Sequence, residues 1–264
     1  MDKLYGLCHL PLIPLRLSAA HQSEMISQLI FGEIYSIIQS EENWLKIKLE
    51  NDGYEGWIDK NQYLEITTLV IQDIIKQKIY YTSSAITEAF YPAKEENIYL
   101  PFGAALFNFE SGVFSFNTSI FEIKNGTSVL PDKKKFNDNI ENLARLFLNV
   151  PYLWGGKTHL GIDCSGFMQQ IFKIAGIQLP RDAWQQALEG KVVDFLETAQ
   201  LGDLAFFDNA EGKITHVGML LNKNQIIHAS AKVKINTIDN YGILTERLDN
   251  YSHKLRIIKR IVFD

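Results

Sequence analysis

The sequence predicts an α+β chain: two small all-β barrels, at residues 1–66 and 67–130, followed by an α+β domain at residues 131–264. Three observations lead there. Residues 1–66 hold short runs of alternating polarity broken by glycine turns, and strands of that kind close into a small barrel to remove their edges. The helical patterns, Asp138–Leu148 and the stretch from Cys164 to Ala175, stand ahead of the strand candidates instead of alternating with them, which is the order of an α+β unit. Pro131–Phe136, with Lys133, Lys134 and Lys135, reads as a solvated linker.

In chain order, Met25–Tyr35 ends in Phe31-Gly32-Glu33-Ile34-Tyr35, and Trp44–Leu49 alternates with period two. Asn51-Asp52-Gly53 is a turn signal, and Tyr54–Ile58 is the next short strand. Residues 67–130 repeat a unit of this size less clearly: Leu100–Leu106 and Phe107–Phe121 carry strand character, and Ile71–Tyr81 is partly helical in pattern. Ile140, Leu143, Ala144 and Phe147 share one helical face in Asp138–Leu148, and Pro151 stops that helix. Phe167, Ile171, Ile174 and Ala175 share a face of the next helix, which opens at Cys164 behind a glycine-rich loop and ends near Gly176. Leu179–Asp182 is a turn, and Ala183–Leu188 a short helix ended by Gly190. Leu201–Phe207 turns into a strand; Thr215–Leu221, Gln225–Ser230 and Leu255–Phe263 are further strands.

The bulk numbers exclude several classes. With 264 residues and 46% hydrophobic content the chain can bury a sizeable core. A net charge of −5 and no long basic run argue against a nucleic-acid partner. No apolar run reaches the roughly 18 residues that span a membrane, and the start, Met1–Gly6, lacks an export-signal pattern, so the chain is expected to be cytoplasmic, or periplasmic with its signal removed; a monomer is expected, with the oligomeric state left open by the sequence. Cys8 and Cys164 are too few for a disulfide framework; Cys8, in the apolar run Leu4–Leu10, reads as a small buried hydrophobe.

Cys164 is the other cysteine, and its place at a helix start favours thiolate, because unpaired N–H groups and the positive dipole end stabilise an anion. A nucleophilic thiol needs a base. Of six histidines, His216 and His228 fall in one predicted hairpin, with Asn222-Lys223-Asn224 as its turn. Pairing Leu221 with Gln225 sets His228 opposite Gly218 and His216 opposite Ser230, so both rings share a face as diagonal neighbours and Gly218 leaves them room. A slip of one residue would part them. His216 then suits a general base, and His228 either orients it or is a satisfied core histidine. His159 either lines the cleft or lies on the surface; His9, His21 and His253 have no supporting pattern. Cys164, His216 and His228 could also be zinc ligands, but no fourth ligand and no C-x-x-C pair accompanies them, so no metal or other cofactor is expected.

Pro151-Tyr152-Leu153-Trp154-Gly155-Gly156, Asp163-Cys164-Ser165-Gly166-Phe167, Leu179-Pro180-Arg181-Asp182, Gly202–Phe207, His216-Val217-Gly218 and Ile226–Ser230 follow one another in the order of the NlpC/P60 cysteine peptidases. Together they resemble that family over about residues 138–264. Gly32-Glu33, Trp44–Ile47 and Gly53–Ile58 resemble bacterial SH3-like (SH3b) domains, as in the γ-D-glutamyl-L-diamino acid endopeptidases that carry two of them. The resemblance implies a papain-like core with Cys164 as nucleophile, His216 as base, His228 as third polar residue and Tyr152 as an oxyanion donor, unless its ring only packs the core. It also implies that Asp163, Ser165, Arg181 and Asp182 line the substrate pocket, although Asp163 equally suits a helix N-cap and the two roles can coexist. Trp154 either walls that pocket or packs the loop. Glu24 and Tyr54 match the acid and phenol with which the first SH3-like domain of the subgroup meets the L-Ala end; the alternatives are a solvated charge and a barrel-core aromatic. Ala183 stands where some relatives have a substrate-contacting serine.

The implied substrate is a murein tri- or tetrapeptide with a free N-terminal L-Ala, cut between γ-D-Glu and diaminopimelate or lysine in wall turnover or recycling. The competing expectations are a wall amidase or acyltransferase on the same scaffold and a non-catalytic wall-binding module; the latter predicts a damaged triad, whereas Cys164, His216 and His228 are all present.

Overall fold

The computed structural model describes residues 4–116, 119–245 and 249–261, so Met1–Lys3, the Asn117-Thr118 part of the expected Phe107–Phe121 strand and the Val262-Phe263 end of the last strand lie outside the described residues. The chain forms two compact units: residues 1–131 with Trp154–His159, and residues 132–153 with Leu160–Asp264.

The first unit opens with β1 (Tyr5–Leu7), β2 (Leu12–Arg16), β3 (Met25–Ile30), β4 (Ile34–Ser40), β5 (Trp44–Leu49), β6 (Glu55–Asp59) and β7 (Glu65–Ile66), joined in one sheet of order β3-β2-β6-β5-β4-β1-β7. The period-two pattern of β5 does what alternation predicts: Leu45, Ile47 and Leu49 are buried and Lys48 is exposed. They meet Ile13, Leu15, Leu29, Tyr35, Ile58 and the fully buried Cys8 in one apolar cluster.

Helix α1 (Thr68–Ile75) follows, capped by the Thr67 hydroxyl, so the helical part of Ile71–Tyr81 stops at Ile75 and Tyr80 already belongs to a strand. Residues beyond it fold as β8 (Tyr80–Thr82), β9 (Ile86–Tyr91), β10 (Glu96–Pro101), β11 (Ala105–Leu106), β12 (Val113–Phe116), β13 (Ser119–Asn125) and β14 (Ser128–Val129), in two sheets of order β10-β9-β13-β12 and β11-β8-β14. The expected single run through Phe107–Phe121 is broken because Asn108, Ser111 and Gly112 adopt positive φ and turn the chain back on itself. The unit also holds β15 (Lys157–Thr158). The Lys157 ammonium makes a buried ion pair with Glu33 at 3.1 Å, and its N–H donates to Gln28.

The second unit departs from the expected linker at once. Asp132 accepts from the Lys134 N–H, and Lys133–Lys135 form a 3₁₀ turn that runs straight into α2 (Phe136–Arg145). That helix ends well before Pro151, which instead bridges to Lys232. After β16 (Gly161–Ile162) come α3 (Cys164–Ile174) and α4 (Ala183–Gln186). Then β17 (Lys191–Val192), β18 (Leu204–Asp208), β19 (Ile214–Asn222), β20 (Gln225–Ser230), β21 (Lys232–Thr237), β22 (Gly242–Leu244) and β23 (Tyr251–Arg260) form a sheet of order β17-β23-β18-β19-β20-β21, with β22 on β23. Every residue of α3 is buried, because it lies between α2 and strands β19 and β20. Phe147–Phe167 and Phe136–Phe172 ring contacts hold it there. Helices on one face of an antiparallel sheet are the expected α+β arrangement. Among the described residues no helix is long and apolar enough to cross a membrane.

Candidate active site

Cys164 is the first residue of α3 and Asp163 is its N-cap: the extended Asp163 turns its carboxylate back to accept from the Gly166 N–H at 2.7 Å. The helix stops at Gly176, whose φ of +84° suits glycine. The same carboxylate faces the Arg181 guanidinium, which also donates to Ser165 Oγ at 2.8 Å. Asp163, Ser165 and Arg181 are all buried and form one hydrogen-bonded group. Asp182 precedes α4 and its N–H donates to the Gln185 side chain at 3.0 Å.

The hairpin β19–β20 pairs Gly218 with His228 as the sequence predicts. Its end differs: Gln225 pairs with Asn222, not Leu221, because a bulge falls between Leu220 and Asn222. A Cβ on Gly218 would lie 2.8 Å from the His228 Cβ, so this glycine does make the room expected of it. His216 Nε2 and His228 Nδ1 are 2.8 Å apart, and His228 Nε2 continues to Asn236 Oδ1 at 3.1 Å. The thiol hydrogen-bonds with the backbone of Val217, the residue next to His216. Tyr152, half-buried, donates its N–H to the Ala231 carbonyl and bridges to Ile162.

Burial dominates the electrostatics. It pushes the Cys164 thiol up to about 12, with the Asp163 carboxylate adding to the rise and the Val217 N–H and Arg181 opposing it. It holds His216 well below the usual histidine range, helped by His228 and His253, and lowers His228 to about 4. The Tyr152 phenol is raised by burial, then by Cys164 and Asp163, and stays a donor. The resting site is therefore a neutral thiol beside neutral imidazoles, not the thiolate that the helix start alone suggests.

His253, without any pattern in the sequence, lies flat on His216, with ring centroids 4.1 Å apart and planes 26° from parallel. Strand β23 starts at Tyr251, ahead of the apolar Leu255, and that polar start hid it. Among the described residues His216, His228 and His253 are the trio able to offer nitrogens to a cation, with ligand atoms within 4.8 Å of one another. Near-parallel stacked rings aim their in-plane lone pairs side by side, not at one point, so this geometry does not suit an ion.

The remaining candidates lie in the first unit. Trp154 is exposed and its indole N–H donates to Glu24 Oε1 at 2.6 Å. Tyr54, partly buried, packs against the barrel cluster. His159 is half-buried against Phe102, not on the open surface. Gly155 has φ +77° and no space for a Cβ, which would collide with the Met25 carbonyl oxygen.

A thiol at the head of a buried helix, with a hydrogen-bonded imidazole pair on the adjoining antiparallel sheet, is the layout of a cysteine peptidase. Residues 149–250 match the NlpC/P60 family and residues 15–62 the bacterial dipeptidyl-peptidase Sh3 domain. A γ-D-glutamyl-L-lysine dipeptidyl-peptidase of Bacillus subtilis (strain 168) is 32% identical over 93% of this chain and 84% of its own. The probable endopeptidase NlpC of Escherichia coli (strain K12) is 35% identical over 46% of this chain and 77% of its own. The crystal structure of an NlpC/P60 family protein from Bacillus cereus superposes with a TM-score of 0.78 at 20% identity, over 97% of this chain and 99% of that one. The chain belongs to the NlpC/P60 family of cysteine peptidases, with a bacterial SH3 domain ahead of the peptidase region.

Proposed function

We propose that the chain is an endopeptidase that cuts murein peptides between γ-D-Glu and the following diamino acid, with residues 1–66 and 67–130 as two SH3b-like domains and 131–264 as the catalytic domain. The observation that carries the reading is the 2.8 Å His216–His228 bond on the strand whose Val217 backbone meets the Cys164 thiol. In this reading Cys164 Sγ attacks the γ-D-Glu carbonyl carbon as its proton passes to His216 at Nδ1, the nitrogen not engaged with His228. The tetrahedral oxyanion is met by the Cys164 N–H at the helix start and by the Tyr152 hydroxyl. His216 then returns the proton to the leaving amine, the C–N bond breaks, and water, deprotonated by His216, releases the thioester.

On the substrate side, Asp163, Ser165, Arg181 and Asp182 are assigned to the peptide pocket, Arg181 and Ser165 supplying donors to the D-Glu α-carboxylate and the acids suiting the ammonium. The name of the Bacillus subtilis relative supports a diamino acid on the leaving side. A free L-Ala amine, with Glu24, Tyr54 and Trp154 as its partners, is the finest part of the proposal and rests on the motif matches. The test is incubation with L-Ala-γ-D-Glu-diaminopimelate and mass-spectrometric detection of L-Ala-γ-D-Glu. Cys164→Ala abolishes turnover; equal cleavage of the N-acetylated peptide removes the amine pocket, and no cleavage of either peptide removes the proposed bond.

A further inference from the structure

The polar line through the site does not end at the third residue of the triad. Strands β19, β20 and β21 each place one polar side chain on it: His216, His228 and Asn236. His228 pairs with Lys234 and Ile226 with Asn236, so His228 and Asn236 are diagonal neighbours on one face, just as His216 and His228 are. The hydrogen-bond directions along this line are not interchangeable. Asn236 Nδ2 donates to the Leu244 carbonyl at 3.3 Å, and that bond turns Oδ1 toward His228 Nε2 at 3.1 Å. An amide oxygen only accepts, so His228 Nε2 carries a hydrogen. A neutral imidazole has one N–H, which leaves His228 Nδ1 with its lone pair. His216 Nε2, 2.8 Å away, must then be the donor, and the lone pair of His216 is left on Nδ1.

We infer that Asn236 is a positioning residue that sets the tautomers of both histidines and so aims the His216 lone pair for the thiol proton. The inference rests on the proposed thiol–imidazole chemistry and deepens it, naming the group that keeps the base in its receptive form. His228 alone cannot do this: a neutral imidazole both donates and accepts, so the pair would be as well satisfied with both protons shifted to the Nδ1 atoms. The Asn236 amide, pinned by a carbonyl on the next strand, breaks that symmetry. Without it, part of the population would present an N–H where a base is required.

The test uses the full chain and no substrate. Long-range ¹⁵N–¹H spectra of histidine-labelled protein report tautomers directly. Iodoacetamide alkylation of Cys164, followed by peptide mass, reports the thiol–imidazole pair. The wild type is expected to show Nε2-protonated His216 and His228. Asn236→Leu should mix the tautomers and slow alkylation by about tenfold, less than the roughly hundredfold or more that loss of a general base costs. Asn236→Asp keeps the acceptor, and should keep the tautomers with alkylation within about threefold of wild type. His228 protonated on Nδ1 in the wild type, Asn236→Leu indistinguishable from wild type in both measurements, or Asn236→Asp as slow as Asn236→Leu would each overturn the inference. Should Asn236→Leu not fold, the wild-type spectrum and Asn236→Asp still decide. His216→Ala separates the two levels: alkylation that ignores His216 removes the proposed chemistry itself, whereas alkylation that needs His216 but ignores Asn236 removes this inference alone.

Discussion

Replacing Arg181 by Met tests how the Cys164 helix is started. The guanidinium is buried, spans both oxygens of the buried Asp163 carboxylate and donates to Ser165 Oγ. Taking away one partner of a buried ion pair leaves an uncompensated charge and costs about 3–5 kcal/mol, while the pair itself is nearly neutral against an apolar substitute. Arg181→Met should therefore lower stability by about 3 kcal/mol or more. Asp163→Asn keeps an acceptor for the Gly166 N–H but strands the guanidinium, and should cost a comparable amount. The double variant removes both charges and should be more stable than the sum of the single losses by about 2 kcal/mol, a coupling in the range measured for contacting buried groups. Urea unfolding by circular dichroism reads these differences, taken from the transition that moves because the chain has two units. Arg181→Met within about 1 kcal/mol of wild type, or single losses that simply add, would refute the reasoning. The same variant also withdraws a positive charge that favours the thiolate, so Cys164 alkylation should slow.

Three further outcomes are expected. His228 is lowered to about 4 by burial, so its neutral form is favoured by folding; that stability is complete above the unfolded value near 6.5 and is lost as pH falls toward 4. The loss is on the order of 3 kcal/mol, read as the fall in Tm between pH 7 and pH 4.5, and His228→Gln should flatten it; identical slopes contradict the burial argument. Gly218→Ala puts a methyl 2.8 Å from the His228 Cβ and should reduce kcat by about tenfold with the fold retained, and a fully active Gly218→Ala enzyme would show that the ring is not held there. His253→Ala removes the face stacked on His216 and should lower the alkylation rate several-fold, roughly 1 kcal/mol of ring contact, while His253→Phe restores most of it; equal rates for the two variants would deny the stacking role.

The fold was readable where side-chain periodicity is strong, and the site where local chemistry is dense. Cys164 at a helix start, Asp163 as its cap, Gly176 at its end and the Gly218–His228 pairing all follow from residue type and spacing. Asn236 was missed although Lys232–Thr237 alternates as a strand should. The turn before it is the single residue Ala231, held at φ +62°, and no glycine, asparagine or proline announces it. His253 was missed because a strand search anchored on apolar residues begins at Leu255. The lysine run at 133–135 looked like a linker because charge marks solvent exposure, and a 3₁₀ turn is exposed too. Trp154–His159 sits in the middle of the peptidase motif in sequence, yet its partners Glu24, Gln28 and Glu33 are more than a hundred residues away, and no periodicity carries that information.

The protonation state of the thiol shows why local chemistry and packing must be weighed together. A helix start favours an anion by about 0.3–1 kcal/mol. Burial, with the Asp163 carboxylate adding to it, carries the Cys164 thiol from an ordinary 9.0 to about 12, on the order of 4 kcal/mol in the opposite direction. Packing wins, and the proton rests on sulfur. In the proposed chemistry a base is then required at the moment of attack, and the proposed base, His216, is lowered by the same burial and so is neutral at neutral pH. The two shifts are therefore one property of the site: excluding water from Cys164 and His216 together costs the ion pair but keeps both partners in the form that general-base transfer uses. Which imidazole nitrogen receives the proton is then a matter of hydrogen-bond direction alone, and the side chains that set it lie on the sheet, away from the cysteine.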